Sequence, residues 1–219
     1  LLAAQGALFS SPIKKEAISY DFIQISVSPE IYKCTHFLTD AECNAIIEKA
    51  KPTLTRSTVI DNNSSRSLID DRRTSLGTFL SPYSEIPAVK KIRAIMETVT
   101  GLPKKNGESI QVLRYSEGGE YKPHFDYFDP NSAGGAAHYE RGGQRVATLL
   151  VYLNTPSKGG ETVFPRAGLK IKPIKGSAVL FYSLDPGGNP DPNSLHGGAP
   201  VLSGEKWLAT LWMREGEFN

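Results

Sequence analysis

Long apolar runs are missing from this 219-residue chain: no stretch approaches the ~18 consecutive apolar residues that a membrane-spanning helix needs. Charge of one sign is missing too. With 25 Lys and Arg against 23 Asp and Glu, the formal charge is +2, too small a surplus to supply the phosphate affinity of a nucleic-acid binder. Cysteine is scarce. Cys34 and Cys43 are the only two, which excludes a four-cysteine zinc site and leaves one disulfide or two buried thiols as alternatives. No internal repeat or linker-like stretch divides the sequence, so its length suits one sizeable domain.

What is present points to a β-rich chain. The 20 glycines and 15 prolines are spread among short apolar runs, a pattern of many strands and turns. The opening LLAAQGALFS is apolar and rich in small residues; it reads as the remnant of a signal or anchor segment, or equally as a tag scar or tail. Residues 1–29 are therefore taken as an N-terminal segment that ends in a first strand, and residues 30–219 as a single domain. Asn62 and Asn63 begin overlapping N-x-S sequons, which matter only in a secreted chain.

Thr39, Asp40, Ala41 and Glu42 form a capping box ahead of Ala45, Ile46, Ile47 and Ala50, predicting a helix over about 40–51. A second begins after Ser84 and carries Val89, Ile92, Met96 and Val99 as a stripe before Gly101 stops it. From residue 109 the texture changes to strands at 110–115, 121–125, 146–153, 162–164, 169–171, 178–182 and 207–213, separated by turns. Strands without intervening helices predict a sandwich or barrel, buttressed on one face by the two helices. Segments 60–73 and 127–144 read as long binding loops.

The segment EYKPHFDYFDP places His124 and Asp126 two residues apart, so that on a strand both side chains point the same way. Only four histidines exist. His36 precedes the first helix and reads as a packing residue; His138 lies in a Gly-rich loop, either against substrate or in solvent. His196 is followed by two glycines that allow close approach of backbone or ligand. Two histidines and a carboxylate make the facial triad of a non-haem Fe(II) oxygenase, although zinc enzymes use similar sets and the triad alone does not choose the metal. Ten residues after His196 stands Lys206, opening the strand KWLATLWMR. An ammonium returned under an apolar metal pocket needs an anion, and a dicarboxylic co-substrate would supply one.

In that order the motifs resemble the 2-oxoglutarate- and Fe(II)-dependent prolyl 4-hydroxylases. RTS at 73–75, VLRY at 112–115, YKPHFD at 121–126, ATLLVYLN at 147–154, GGETVFP at 159–165 and GSAVLF at 176–181 are similar to that family as well. The resemblance runs from about residue 30 to the C-terminus and is nearest the stand-alone plant and green-algal enzymes. It implies a mainly β double-stranded β-helix, or jelly roll, with supporting helices. It also implies the reaction: O2 and 2-oxoglutarate consumed, succinate and CO2 released, a peptidyl proline hydroxylated at C4, and ascorbate as reductant for iron.

Carried over residue by residue, His124, Asp126 and His196 are metal ligands and Lys206 binds the distal carboxylate of 2-oxoglutarate. Tyr115 and Thr162 are candidate co-substrate contacts. Tyr121 is read as a substrate contact on the opposite strand face from His124 or just outside the pocket. Arg73, Ser75, Arg141, Arg145 and Trp212 are further candidates for binding a proline-rich polypeptide in the polyproline II conformation. The family places the protein in the endoplasmic reticulum lumen, and the expected form is a monomer without nucleic acid. Rival readings are a 2-oxoglutarate oxygenase acting on another protein side chain, a nucleic-acid repair dioxygenase, a zinc hydrolase using Glu120 or Glu161 as base, and a silent jelly-roll module that binds peptide or carbohydrate.

Overall fold

The computed structural model describes residues 20–60, 67–68 and 70–218. Its strands are β1 (Ile23–Val27), β2 (Glu30–Cys34), β3 (Thr55–Arg56), β4 (Val59–Ile60), β5 (Ser67–Leu68), β6 (Leu76–Leu80), β7 (Ile110–Tyr115), β8 (Tyr121–His124), β9 (Arg145–Tyr152), β10 (Lys158–Gly159), β11 (Thr162–Phe164), β12 (Leu169–Ile171), β13 (Ala178–Tyr182), β14 (His196–Gly198), β15 (Val201–Ser203) and β16 (Lys206–Arg214). The helices are α1 (Asp40–Ala50), α2 (Pro87–Thr100) and α3 (Ala133–Tyr139).

An eight-stranded antiparallel sheet runs β1-β2-β13-β9-β16-β7-β6-β3, and a four-stranded sheet runs β12-β11-β14-β8. Strand alternation sorts the core between them. On β16, Trp207, Ala209, Leu211 and Met213 join the cluster that α1 and α2 cover, while Leu208 joins Leu113, Tyr115, Leu150 and Tyr152 in the cluster shared with the smaller sheet. This is the predicted jelly roll. The expected strands lie where the sequence put them, within a residue or so at the ends.

Both covering helices follow their local signals. The Thr39 hydroxyl accepts from the Glu42 N–H while the Glu42 carboxylate accepts from the Thr39 N–H, closing the capping box. Glu42 also pairs with Lys91 of α2 at 3.0 Å, joining the two helices. Gly101, left-handed at φ 71°, ends α2.

Several expectations need adjustment. Residues 127–144 are not simply a loop, since Ser132 caps α3 by accepting from the Gly135 N–H. His36 is exposed and does not pack in the core. Cys34 and Cys43 are both buried free thiols. The Asn62 and Asn63 sequons and the LLAAQGALFS segment lie outside the described residues.

Candidate active site

The smaller sheet brings the two histidines together, because β14 pairs with β8 so that His196 faces His124. Asp126 follows two residues after His124. One ligand atom from each of His124, Asp126 and His196 falls within a 4.8 Å group. His124 Nε2 stands 3.7 Å from Asp126 Oδ1, and His196 Nε2 stands 3.6 Å from Asp126 Oδ2.

Their hydrogen bonds orient them for a metal. Each Nδ1 lies 2.9 Å from a backbone carbonyl, that of Lys122 for His124 and that of Ser194 for His196. With the Nδ1–H donating there, both Nε2 lone pairs point at the shared centre. Thr148 Oγ1 donates to Asp126 Oδ2 at 2.7 Å. Burial, reinforced by His196, holds His124 neutral. Burial pushes the Asp126 carboxyl upward, but the histidines and Arg145 outweigh it and keep it ionised. Two imidazoles and one carboxylate on a common face are a donor set that fits a divalent iron, with the other side left open to ligands.

Lys206 is 2% exposed. No carboxylate lies within ion-pair distance of it among the described residues; its Nζ sits between the rings of Tyr115 and Tyr152, 5.7 and 5.6 Å from their centroids. Burial pulls its pKa down to about 8, against a weaker upward pull from Glu161. The small pocket that holds it is also lined by His124, Asp126, His196, Tyr115 and Thr162. A buried cation without an anion, facing a metal-type triad, fits a ligand that carries a carboxylate at the far end.

The remaining candidates divide. Thr162 is committed through its hydroxyl, which accepts from Tyr152 at 2.7 Å. Tyr115 is buried beside Ser75 and Arg73, and Ser75 is itself fully buried against Ser57; Ser75 therefore supports the site from beneath and does not line the larger cavity. Arg145 holds Glu108 through two bonds of 2.7 and 2.9 Å and lies over the Trp212 ring at 4.0 Å. Arg141 lines the larger cavity and stands over Phe218 at 4.8 Å. His138 stacks on Phe128.

Tyr121 does not point away from His124. It stacks on that ring, with centroids 3.6 Å apart. The register slips between the pairs His196–His124 and Gly198–Tyr121: two steps on β14 match three on β8, and this bulge turns an odd separation onto one face. Arg73 lies over the other side of the Tyr121 ring at 4.7 Å.

Sequence reasoning missed Thr148 and Glu108. Thr148 is the one polar side chain in the run VATLLV, a signal that could have marked it; Glu108 carries no such mark.

Residues 110–214 match the 2OG-Fe(II) oxygenase superfamily model. The chain is 42% identical to Prolyl 4-hydroxylase 2 of Arabidopsis thaliana across 100% of its own length and 78% of that protein. This chain belongs to the prolyl 4-hydroxylases. Prolyl 4-hydroxylase 1 of the same plant is 44% identical over 87% of the chain and 71% of its own length. Among solved structures, the viral collagen prolyl hydroxylase of Paramecium Bursaria Chlorella virus-1, in a 2OG complex, superposes with a TM-score of 0.64 at 34% identity, covering 84% of this chain and 95% of the other.

Proposed function

We propose that this chain hydroxylates peptidyl proline at C4, consuming O2 and 2-oxoglutarate and releasing succinate and CO2. The observation that carries this reading is the pairing of a His124–Asp126–His196 face with the unpaired, buried Lys206 ammonium in one pocket. Fe(II) held by those three residues supplies the oxidising chemistry for an unactivated C–H bond, which no side chain supplies alone. The residues themselves bind and orient. Lys206 receives the distal carboxylate of the co-substrate, with Tyr115 and Thr162 walling the same pocket. Thr148 and the two backbone carbonyls keep the three ligands aimed at one point.

The peptide lies in the larger cavity, of about 860 Å³, which His124, Asp126, Tyr121, Arg73, Arg141, Arg145 and Trp212 help to line. Trp212 Nε1 and Arg73 Nε are buried without an acceptor among the described residues. A polyproline II peptide makes no internal hydrogen bonds, so its carbonyls are free to accept from such donors. The reading extends to a monomer in the endoplasmic reticulum lumen, where proline-rich wall and matrix proteins are made, with ascorbate as reductant. Cell fractionation and light scattering check those two points.

The test of the activity is succinate release with Fe(II), 2-oxoglutarate and ascorbate, with and without a proline-rich peptide. The expected result is peptide-dependent succinate with a mass gain of about 16 Da on proline and none from His124→Ala or Asp126→Ala. A fully active His124→Ala protein would overturn the metal assignment, and succinate release indifferent to peptide would overturn the substrate.

A further inference from the structure

Phe79, on β6, is 60% exposed, although most large apolar side chains of the big sheet are buried. Its orientation follows from strand alternation. Leu80 and its partner Ile110 belong to the helix-side core. Gly77 and Phe79 therefore face the other way, toward the catalytic side. Register places Phe79 opposite Gln111, Gln111 opposite Thr210, and Thr210 opposite Leu150. One row of side chains thus runs from Phe79 to the floor of the site. Trp212 and Thr148, the Asp126 partner, face each other one step further along the same sheet face.

The smaller sheet does not cover this end. No residue of β6 or β3 belongs to the core cluster the two sheets share, so Phe79 sits on an overhang of the larger sheet. The cavity that holds His124 and Asp126 also reaches Phe79, Gly77 and Thr55. Thr55 pairs with Gly77, so the residues beside the ring are small and its face stays open. Gln111, between Phe79 and Thr210, is already held by Arg73 Nη2 at 2.7 Å. The aromatic ring is the open contact in that row.

We infer that Phe79 is an aromatic subsite for a substrate proline lying one polyproline II turn, three residues, away from the proline that is hydroxylated. This rests on the reading of the protein as a prolyl hydroxylase. The spacing supports it. Phe79 stands two strands from Thr210, roughly 10 Å at ordinary strand separation, and three residues of polyproline II advance about 9 Å. Proline rings dock on aromatic faces in the grooves that read this conformation. Prolines in register three apart would then engage the catalytic pocket and Phe79 together.

The test compares two substrates of the purified enzyme: a peptide repeating Pro-Ala-Ser over twelve residues, and a pentapeptide with one central proline. Phe79→Ala is expected to raise KM for the long peptide roughly threefold to tenfold, with kcat unchanged and the pentapeptide KM unaltered. Phe79→Tyr should restore the wild-type KM. Because the side chain is exposed, the substitution leaves the core intact, and circular dichroism confirms folding. An unchanged KM on the long peptide, or an equal rise on both, would overturn the subsite while leaving the hydroxylase standing. Failure of the unmodified protein to hydroxylate either peptide would overturn the reading of function and this inference with it.

Discussion

Tyr121 lies flat against the imidazole of His124, with ring centroids 3.6 Å apart and planes 17° from parallel. Arg73 closes the far side of the phenol ring and is itself held by the Thr58 carbonyl and by Gln111. Through Tyr121, the plane of His124 is tied to Arg73, 51 positions earlier in the chain. Tyr121→Ala is therefore expected to weaken Fe(II) binding about tenfold or more, the usual effect of losing a partner that orients a ligand. Titration with Co(II), followed by its absorption, measures this directly. Saturating iron should restore much of the rate.

Lys206 has opposite effects on stability and on binding. Its buried, unpaired ammonium is unfavourable in the protein without ligand, so Lys206→Met should raise the melting temperature by a few degrees. The same change should weaken 2-oxoglutarate roughly 10- to 100-fold, the worth of a charge-assisted bond. The pH dependence has a definite sign. With the folded pKa lowered to about 8, the penalty is full below pH 8 and is relieved as pH rises toward the unfolded value, while affinity for the carboxylate falls over that same window. Calorimetric titration of 2-oxoglutarate at pH 7 and pH 9 checks the second half.

Glu108 is shared by Arg145 and Arg214, with Arg214 Nε 2.8 Å from it. Burial pushes its carboxyl upward, but the two guanidiniums outweigh that and hold it below the usual range. The pair's stabilisation is therefore fully present above the unfolded value near 4.5 and is lost as pH falls through the lowered folded pKa. Glu108→Gln leaves two buried cations without their anion and should cost about 3 kcal/mol at pH 7. Urea unfolding of both proteins should show the gap narrowing below pH 4.5.

Gly135 in α3 has no room for a side chain. A methyl group there would fall within 1.9 Å of the Asp129 carbonyl oxygen. Since Gly135, His138 and Arg141 all line the larger cavity, Gly135→Ala should displace α3 and raise peptide KM severalfold with little change in 2-oxoglutarate KM. Overpacking of this kind costs typically 1–3 kcal/mol, so a modest fall in melting temperature should accompany it.

Much of the protein is local in origin. The capping box at Thr39, the stop at Gly101 and the turn-bounded strand-type runs at 110–115 and 207–213 depend on neighbours in sequence, and the elements form where those signals lie. His124 and Asp126, two apart on an extended segment, share a face by backbone geometry alone, and family motifs pointed to His196 and Lys206. Tertiary structure decided the rest. Tyr121 turned onto His124 because a register slip between β8 and β14, set by pairing with a strand seventy residues away, shifted its face. Thr148 met Asp126, and Glu108 met two arginines, because burial removes water as a partner and leaves these groups to satisfy one another. Phe79 became a candidate subsite only because the larger sheet extends past the smaller one, a difference in strand number that no local pattern encodes.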